Sequence, residues 1–334
     1  MYGRREYLAI GEPLVQAFSA EHHATQQEVV ASPRAWELIA PYFTAQEVLD
    51  DGFVFISSVK EPLRKTAIKT KAKTLGENIV KRISTYIPTA VVPFATQNDD
   101  KWVNELRQIT VLFVNLGVNE AELVSISSSK DIMRIHNVLR SVQQAVYRYE
   151  GSLNKFLMDD KGSTLVAVWG LPPLAHDDDA LRGVLAALDI CNALHQLDLR
   201  PSVGITTGAA FCGVVGARVK FLCKHWQDGF FCNLLLIRSQ GRREYTVLGD
   251  TVNLSARMMQ YATVTGCPIV CDEATTESAS YWKCWTKRLK FHNFNRIRVK
   301  GKTQPISVYK PVLLPQPASA VHLVIYYFLC LVRF

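Results

Sequence analysis

Asn253 and Arg257 stand four residues apart in the stretch EYTVLGDTVNLSARMM, residues 244–259. If the chain is helical from Asp250 onward, the two side chains lie one turn apart and leave the same face. An amide beside a guanidinium, just past a short strand, makes a donor set for a ligand carrying both a ribose and a phosphate. The spacing alone is met equally well by a surface Asn and Arg on an amphipathic helix. The elements around the pair therefore have to decide. The stretch itself reads as a strand over 245–248, a Gly249-Asp250 turn and a helix.

The 334 residues allow one large or two ordinary domains, and 48% hydrophobic content supports a packed core. The net charge of +8 would suit a nucleic-acid partner if it were spread over a face. It is not. Between Lys60 and Arg82 stand eight Lys or Arg against Glu61 and Glu77, and the rest of the chain is nearly balanced. The basicity belongs to a linker, and no nucleic-acid surface is expected. Eight cysteines at irregular spacing, without a secretory hydrophobic region at the N-terminus, suit a reducing, cytoplasmic compartment. Cys267 and Cys271 bracket a predicted strand, and Cys223 and Cys232 flank His225, but no second paired motif completes a zinc site. Buried free thiols are expected instead. The apolar run 320–331 is shorter than the roughly 20 residues of a standard membrane span, so no firm membrane anchor is assigned.

An internal repeat organises the chain. GRREYLAIGEPLV from Gly3 matches GRREYTVLGDTVN from Gly241, with Gly11 aligned to Gly249. Further on, Val29-Val30-Ala31-Ser32 parallels Ile269-Val270-Cys271-Asp272 after a two-residue slip. Residues 1–57 therefore read as the C-terminal remnant of one domain, 58–104 as a basic linker with an amphipathic stretch over 75–86, and 105–312 as a complete second copy. Residues 313–334 form an apolar tail.

Within the second copy, RQITVLFVNL (107–116) is an unbroken apolar run and reads as a fully buried strand. Helical periodicity follows over 130–149. Two strands then flank the Asp159-Asp160-Lys161-Gly162 turn, a hairpin signal. A second long helix is predicted over 177–197, and a strand pair broken at Gly208 over 201–215. Short strands over 286–291, 296–299 and 306–309 close the domain. The order β-α-(α)-β-β-α-β defines an α+β, ferredoxin-like arrangement: an antiparallel sheet with helices packed on one face. Residues 220–240 are apolar and rich in Cys and Trp where a hairpin turn is expected, and read as an insertion.

Taken together, TVLFVNL (110–116), GSLNKFLMDDKG (151–162), SVGITTGAAFCGVVG (202–216), the 244–259 stretch and VKGKTQPISVY (299–309) resemble the class III nucleotide cyclase catalytic domain. The resemblance is greatest to the second catalytic half of the soluble, bicarbonate-responsive adenylyl cyclases. It implies an active site between two such halves, where ATP is converted to cyclic AMP and pyrophosphate with two Mg2+ ions. Carried over by motif, Lys155 and Thr246 would read adenine with the backbone of Val247 beside them. Asn253 would orient the ribose, and Arg257 would stabilise charge developing on the phosphate. A Lys and a hydroxyl suit the acceptor and donor edge of adenine, whereas guanine calls for an acidic residue.

The metal positions read differently. Asn115 stands where the resemblance implies the first metal aspartate, and a neutral amide is a poor bridge between two magnesium ions. Asp159 and Asp160 are accounted for as turn residues. No metal ligand is assigned in this chain, and both carboxylates are expected from a metal-bearing half, upstream in cis or supplied in trans. At the degenerate site implied for bicarbonate, the arginine expected seven residues after Gly11 is Phe18, which leaves a bicarbonate response unsupported. The alternative reading is a non-catalytic pseudo-cyclase, a regulatory or dimerisation module. A P-loop ATPase is excluded, because VKGKT (299–303) has Arg296 where the motif needs glycine.

Overall fold

A computed structural model describes residues 4–6, 10–60, 82, 85–86, 104–119, 121–122, 125–126, 128–159, 162–215, 244–282, 288–299 and 304–314. In chain order the elements are α1 (Glu12–His23), β1 (Val30–Ala31), α2 (Pro33–Ile39), β2 (Phe43–Val48) and β3 (Val54–Val59). The second copy follows with β4 (Glu105–Asn115), α3 (Ser129–Arg148), β5 (Ser152–Asp159), β6 (Gly162–Trp169), α4 (Asp179–His195) and β7 (Ser202–Val215). It closes with β8 (Glu244–Leu248), α5 (Asp250–Thr265), β9 (Ile269–Asp272), α6 (Glu273–Ser280), β10 (Leu289–Ile297) and β11 (Ile306–Leu313). The amphipathic stretch 75–86, the insertion 220–240 and most of the apolar tail fall largely or wholly outside the described residues.

The large sheet runs β10-β11-β9-β7-β4-β6-β5, and β8 pairs with the far half of β7. All its pairings are antiparallel except β7 with β9. Strand β4 lies inside the sheet, between β7 and β6, and its side chains are apolar on both faces. Leu112, Val114 and Leu116 join one core with α3, α4 and α6, while Ile109, Val111 and Phe113 join a second core on the other face. That second core takes Ala256 and Met259 from α5. The expectation of helices on one face is thus corrected: α5 lies on the opposite face from α3, α4 and α6.

Two strand readings also change. The strand pair broken at Gly208 is one continuous strand of 14 residues. Gly208 interrupts nothing, and what it provides is room: a Cβ there would stand 2.8 Å from Thr251 Oγ1. The separate strands over 286–291 and 296–299 are one strand, β10, whose pairing with β11 shifts register between Asn293 and Asn295. An irregularity absorbed within a ladder reads as a gap in one dimension. The helix expected over 130–149 is α3, started by a capping box in which Ser128 and Asp131 exchange hydrogen bonds with each other's backbone. The expected hairpin is β5–β6, with Asp159 opposite Gly162. Strands β7 and β8 pair antiparallel, with Val215 opposite Glu244.

Cys191, Cys212, Cys267 and Cys271 are all free and buried. Burial pushes the Cys191 and Cys271 thiols up to about 12 and Cys212 up to about 11. Thiols in the unfolded chain ionise near pH 8.5. From there up to about pH 11 to 12 the unfolded state has released protons that the native state keeps. Native stability should therefore fall as pH rises through this interval. The check has two parts: melting temperature against pH, and peptide-resolved maleimide labelling. At neutral pH, labelling of these four positions should appear only on unfolding.

Candidate nucleotide site

The helix α5 carries Asn253 and Arg257, and its seat on the sheet is set by glycine. A Cβ at Gly204 would stand 2.2 Å from Ser255 O and 2.3 Å from Met259 N, both in the α5 backbone. The helix therefore lies directly on the β7 main chain, and the two points of approach bracket Arg257. At its start, Gly249 takes φ 147 as the N-cap, a conformation open to glycine. Two hydrogen bonds then fix the first turn: Thr206 Oγ1 donates to Thr251 O at 2.8 Å, and Thr251 Oγ1 donates to Ala209 O at 2.9 Å. Asn253 is exposed and Arg257 half-buried along the edge of the helix. The expected one-turn spacing on one face is present.

Lys155 reaches the same face of the sheet by an irregularity. Leu153 pairs with Ala167 and packs in the core beneath α3 and α4. By strict alternation Lys155 would leave on that side too. The register shifts between Leu153 and Lys155, so Lys155 instead faces Val166, whose side chain lies in the core shared with α5. One extra residue, Asn154, thus moves the lysine from the α3–α4 face to the α5 face. The start of β5 is held where Gly151 meets the Trp169 ring, which a Cβ would approach to 2.4 Å.

Thr246 and Val247 are adjacent in β8 and face opposite sides. Val247 packs into the core with Cys212 and Ala256. Thr246 pairs with Gly213 and is 0% exposed, and its hydroxyl has no hydrogen-bond partner among the described residues. An unpaired buried hydroxyl costs about 1–3 kcal/mol. Replacing Thr246 with the isosteric Val should raise the melting temperature of the ligand-free chain. A hydroxyl of purely structural value would give the opposite sign in the melt.

Asn115 ends β4 and is half-buried, and its Oδ1 accepts from Gly117 N at 2.9 Å. The amide oxygen is engaged in its own turn. No group of three His, Cys, Asp or Glu side chains among the described residues is arranged to hold a metal ion. With its amide oxygen so engaged, Asn115 does not offer the carboxylate that a bridging magnesium ion needs at this position. Asp160 lies outside the described residues. Among the described residues no helix is long and apolar enough to cross a membrane.

The α+β sheet, with its strand-turn-helix and long β5–β6 hairpin, is the fold of the class III nucleotide cyclase catalytic domain. A bacterial light-regulated adenylyl cyclase superposes with a TM-score of 0.52 over 72% of this chain and 63% of its own, at 16% identity. In sequence the chain is homologous to the adenylate cyclase type 10 of mouse, 25% identical over 92% of this chain, and to that of human, 28% identical over 76%. It spans 19% of the length of the mouse relative and 16% of the human one. No family model matches the chain.

Proposed function

We propose that this chain is the substrate-reading half of an adenylyl cyclase, converting ATP to cyclic AMP and pyrophosphate when paired with a metal-bearing half. The observation that carries the reading is the register shift that turns Lys155 onto the face of the sheet where α5 presents Asn253 and Arg257. A scaffold has no need of that coincidence. Lys155 and Thr246 read the adenine edge beside the Val247 backbone. Asn253 holds the ribose so that its hydroxyl is directed at the α-phosphorus, and Arg257 gives a fixed, permanently charged donor fork to the phosphate oxygens. The carboxylates for the two Mg2+ ions come from the partner half, and the reaction takes place in the cytoplasm.

Nucleotide choice tests the base-reading part. Paired with a metal-bearing half, the chain should turn over Mg-ATP in preference to Mg-GTP, because Lys155 and Thr246 offer guanine no acidic acceptor. Equal use of both nucleotides would remove Lys155 and Thr246 from the site. The engagement of Asn115 Oδ1 by Gly117 N favours one second reading, a pseudo-cyclase that binds nucleotide without turning it over. Under that reading the pair would bind ATP and release no product.

A further inference from the structure

Helix α3 ends in a Schellman turn whose residue types disagree with its backbone. Glu150 N donates to Tyr147 O at 3.2 Å and Gly151 N donates to Val146 O at 2.9 Å, the pair of bonds that closes such an end. The left-handed position, at φ 58, is taken by Glu150, where glycine or asparagine would sit with less strain. The glycine stands one residue further on, at Gly151, where the Trp169 ring leaves no room for a Cβ. A residue kept against its local preference points to its side chain for the reason.

That side chain has two partners on the far side of the corner. Glu150 Oε2 accepts from Arg182 Nη1 and stands 3.0 Å from His176 Nε2. Arg182 is aimed by Asp178, whose Oδ1 accepts from its Nε at 2.6 Å. His176 is aimed by Asp179, which meets its Nδ1 at 3.3 Å and accepts from its backbone N–H at 2.9 Å. Further along α4, Asp189 Oδ2 accepts from Arg148 at 2.8 Å and from the Tyr149 hydroxyl at 3.2 Å. Helix α4 is itself held by buried Leu181, Val184 and Ala187. The Glu150 side chain is 45% exposed, so the ion pair adds little stability. What it does is fix where β5 begins.

The start of β5 decides the aim of Lys155. Strand β5 lies at the edge of the large sheet and pairs with β6 alone among the described residues. On this one ladder Asn154 is the extra residue that sets Lys155 opposite Val166, on the α5 face. A ladder closed without the shift would set Lys155 opposite Leu165, whose side chain lies in the α3–α4 core. A single ladder leaves both registers open, and an anchored start leaves one. From this we infer that Glu150 is a positioning residue for Lys155: fastened to α4 through Arg182 and to His176, it fixes the register that turns the lysine toward the nucleotide. The inference rests on the proposed function for what Lys155 reads, and on the contacts of the corner for how it is aimed.

The full chain and its variants are compared by peptide-resolved hydrogen exchange, and in the reconstituted pair by the ratio of kcat/KM for Mg-ATP over Mg-GTP. In Glu150→Gln, exchange over residues 152–156 should quicken on the order of tenfold while β4 and β7 keep their protection. The preference for ATP should fall on the order of tenfold in the same variant. Arg182→Gln should give both results. In a Lys155→Ala chain, adding Glu150→Gln should leave the nucleotide ratio where it is, because the two act through one side chain. Unchanged exchange over 152–156, or a fall in ATP preference that is the same with and without the Lys155 side chain, overturns the positioning role. The two ideas fail separately. A parent pair that makes no cyclic AMP sinks the proposed function, and the exchange measurement alone then decides whether Glu150 sets β5. An active, ATP-preferring parent whose Glu150→Gln form keeps both its exchange and its preference leaves the function standing and ends the positioning role.

Discussion

Arg257→Ala is expected to lower cyclic AMP formation by the reconstituted pair on the order of a hundred- to thousandfold, the usual cost of removing one preorganised charge donor. On the proposed role the loss should fall on kcat more than on KM, because the guanidinium would meet charge that grows as the α-phosphorus is attacked. The variant's stability is measured alongside by chemical denaturation, so that any loss of fold is separated from the loss of rate. Lysine at this position should restore only part of the rate, since a point charge lacks the fork. A rate unchanged by Arg257→Ala removes this residue from the chemistry.

Gly204→Ala is expected to have the largest effect on the fold. The added methyl would meet Ser255 O, Met259 N and Met258 C, and all three belong to the helix backbone, which cannot rotate aside as a side chain can. The helix must lift or the strand must bend. Overpacking of this kind costs about 3 kcal/mol. Because the approach points bracket Arg257, the variant should lose cyclase activity in the pair even at temperatures where it remains folded. Chemical denaturation gives the stability loss, and activity in the folded range gives the displacement. Gly208→Ala, which meets only the Thr251 side chain, should cost less on both measures.

These two glycines also show where the sequence was readable and where it was not. The unbroken apolar run of β4, the hairpin around Asp159 and Gly162, and the period of α3 were legible because each is a one-dimensional pattern dictated by burial. The one-turn spacing of Asn253 and Arg257 was legible for the same reason. Gly208 was misread as a break because glycine is a poor strand former, and the helix that needs its bare surface is more than forty residues further on. The position of α5 on the far face was hidden likewise, since an amphipathic helix shows that it packs but not on which side. Lys155 carried a role in the motif, yet strict alternation places it with Leu153 under α3 and α4. The register shift that re-aims it depends on pairing with β6 and leaves no mark on β5 itself. The Thr246 hydroxyl, without a partner among the described residues, belongs to the same class: a hydroxyl in a strand is unremarkable until its neighbours are known.

One assay bears on the whole account: cyclic AMP release from Mg-ATP by the chain alone, by a metal-bearing half alone, and by the two together. The expected result is negligible product from either protein alone and sustained release from the mixture, abolished when Arg257 is replaced. Sustained release by the chain alone, or none from a mixture shown to bind ATP, would contradict it.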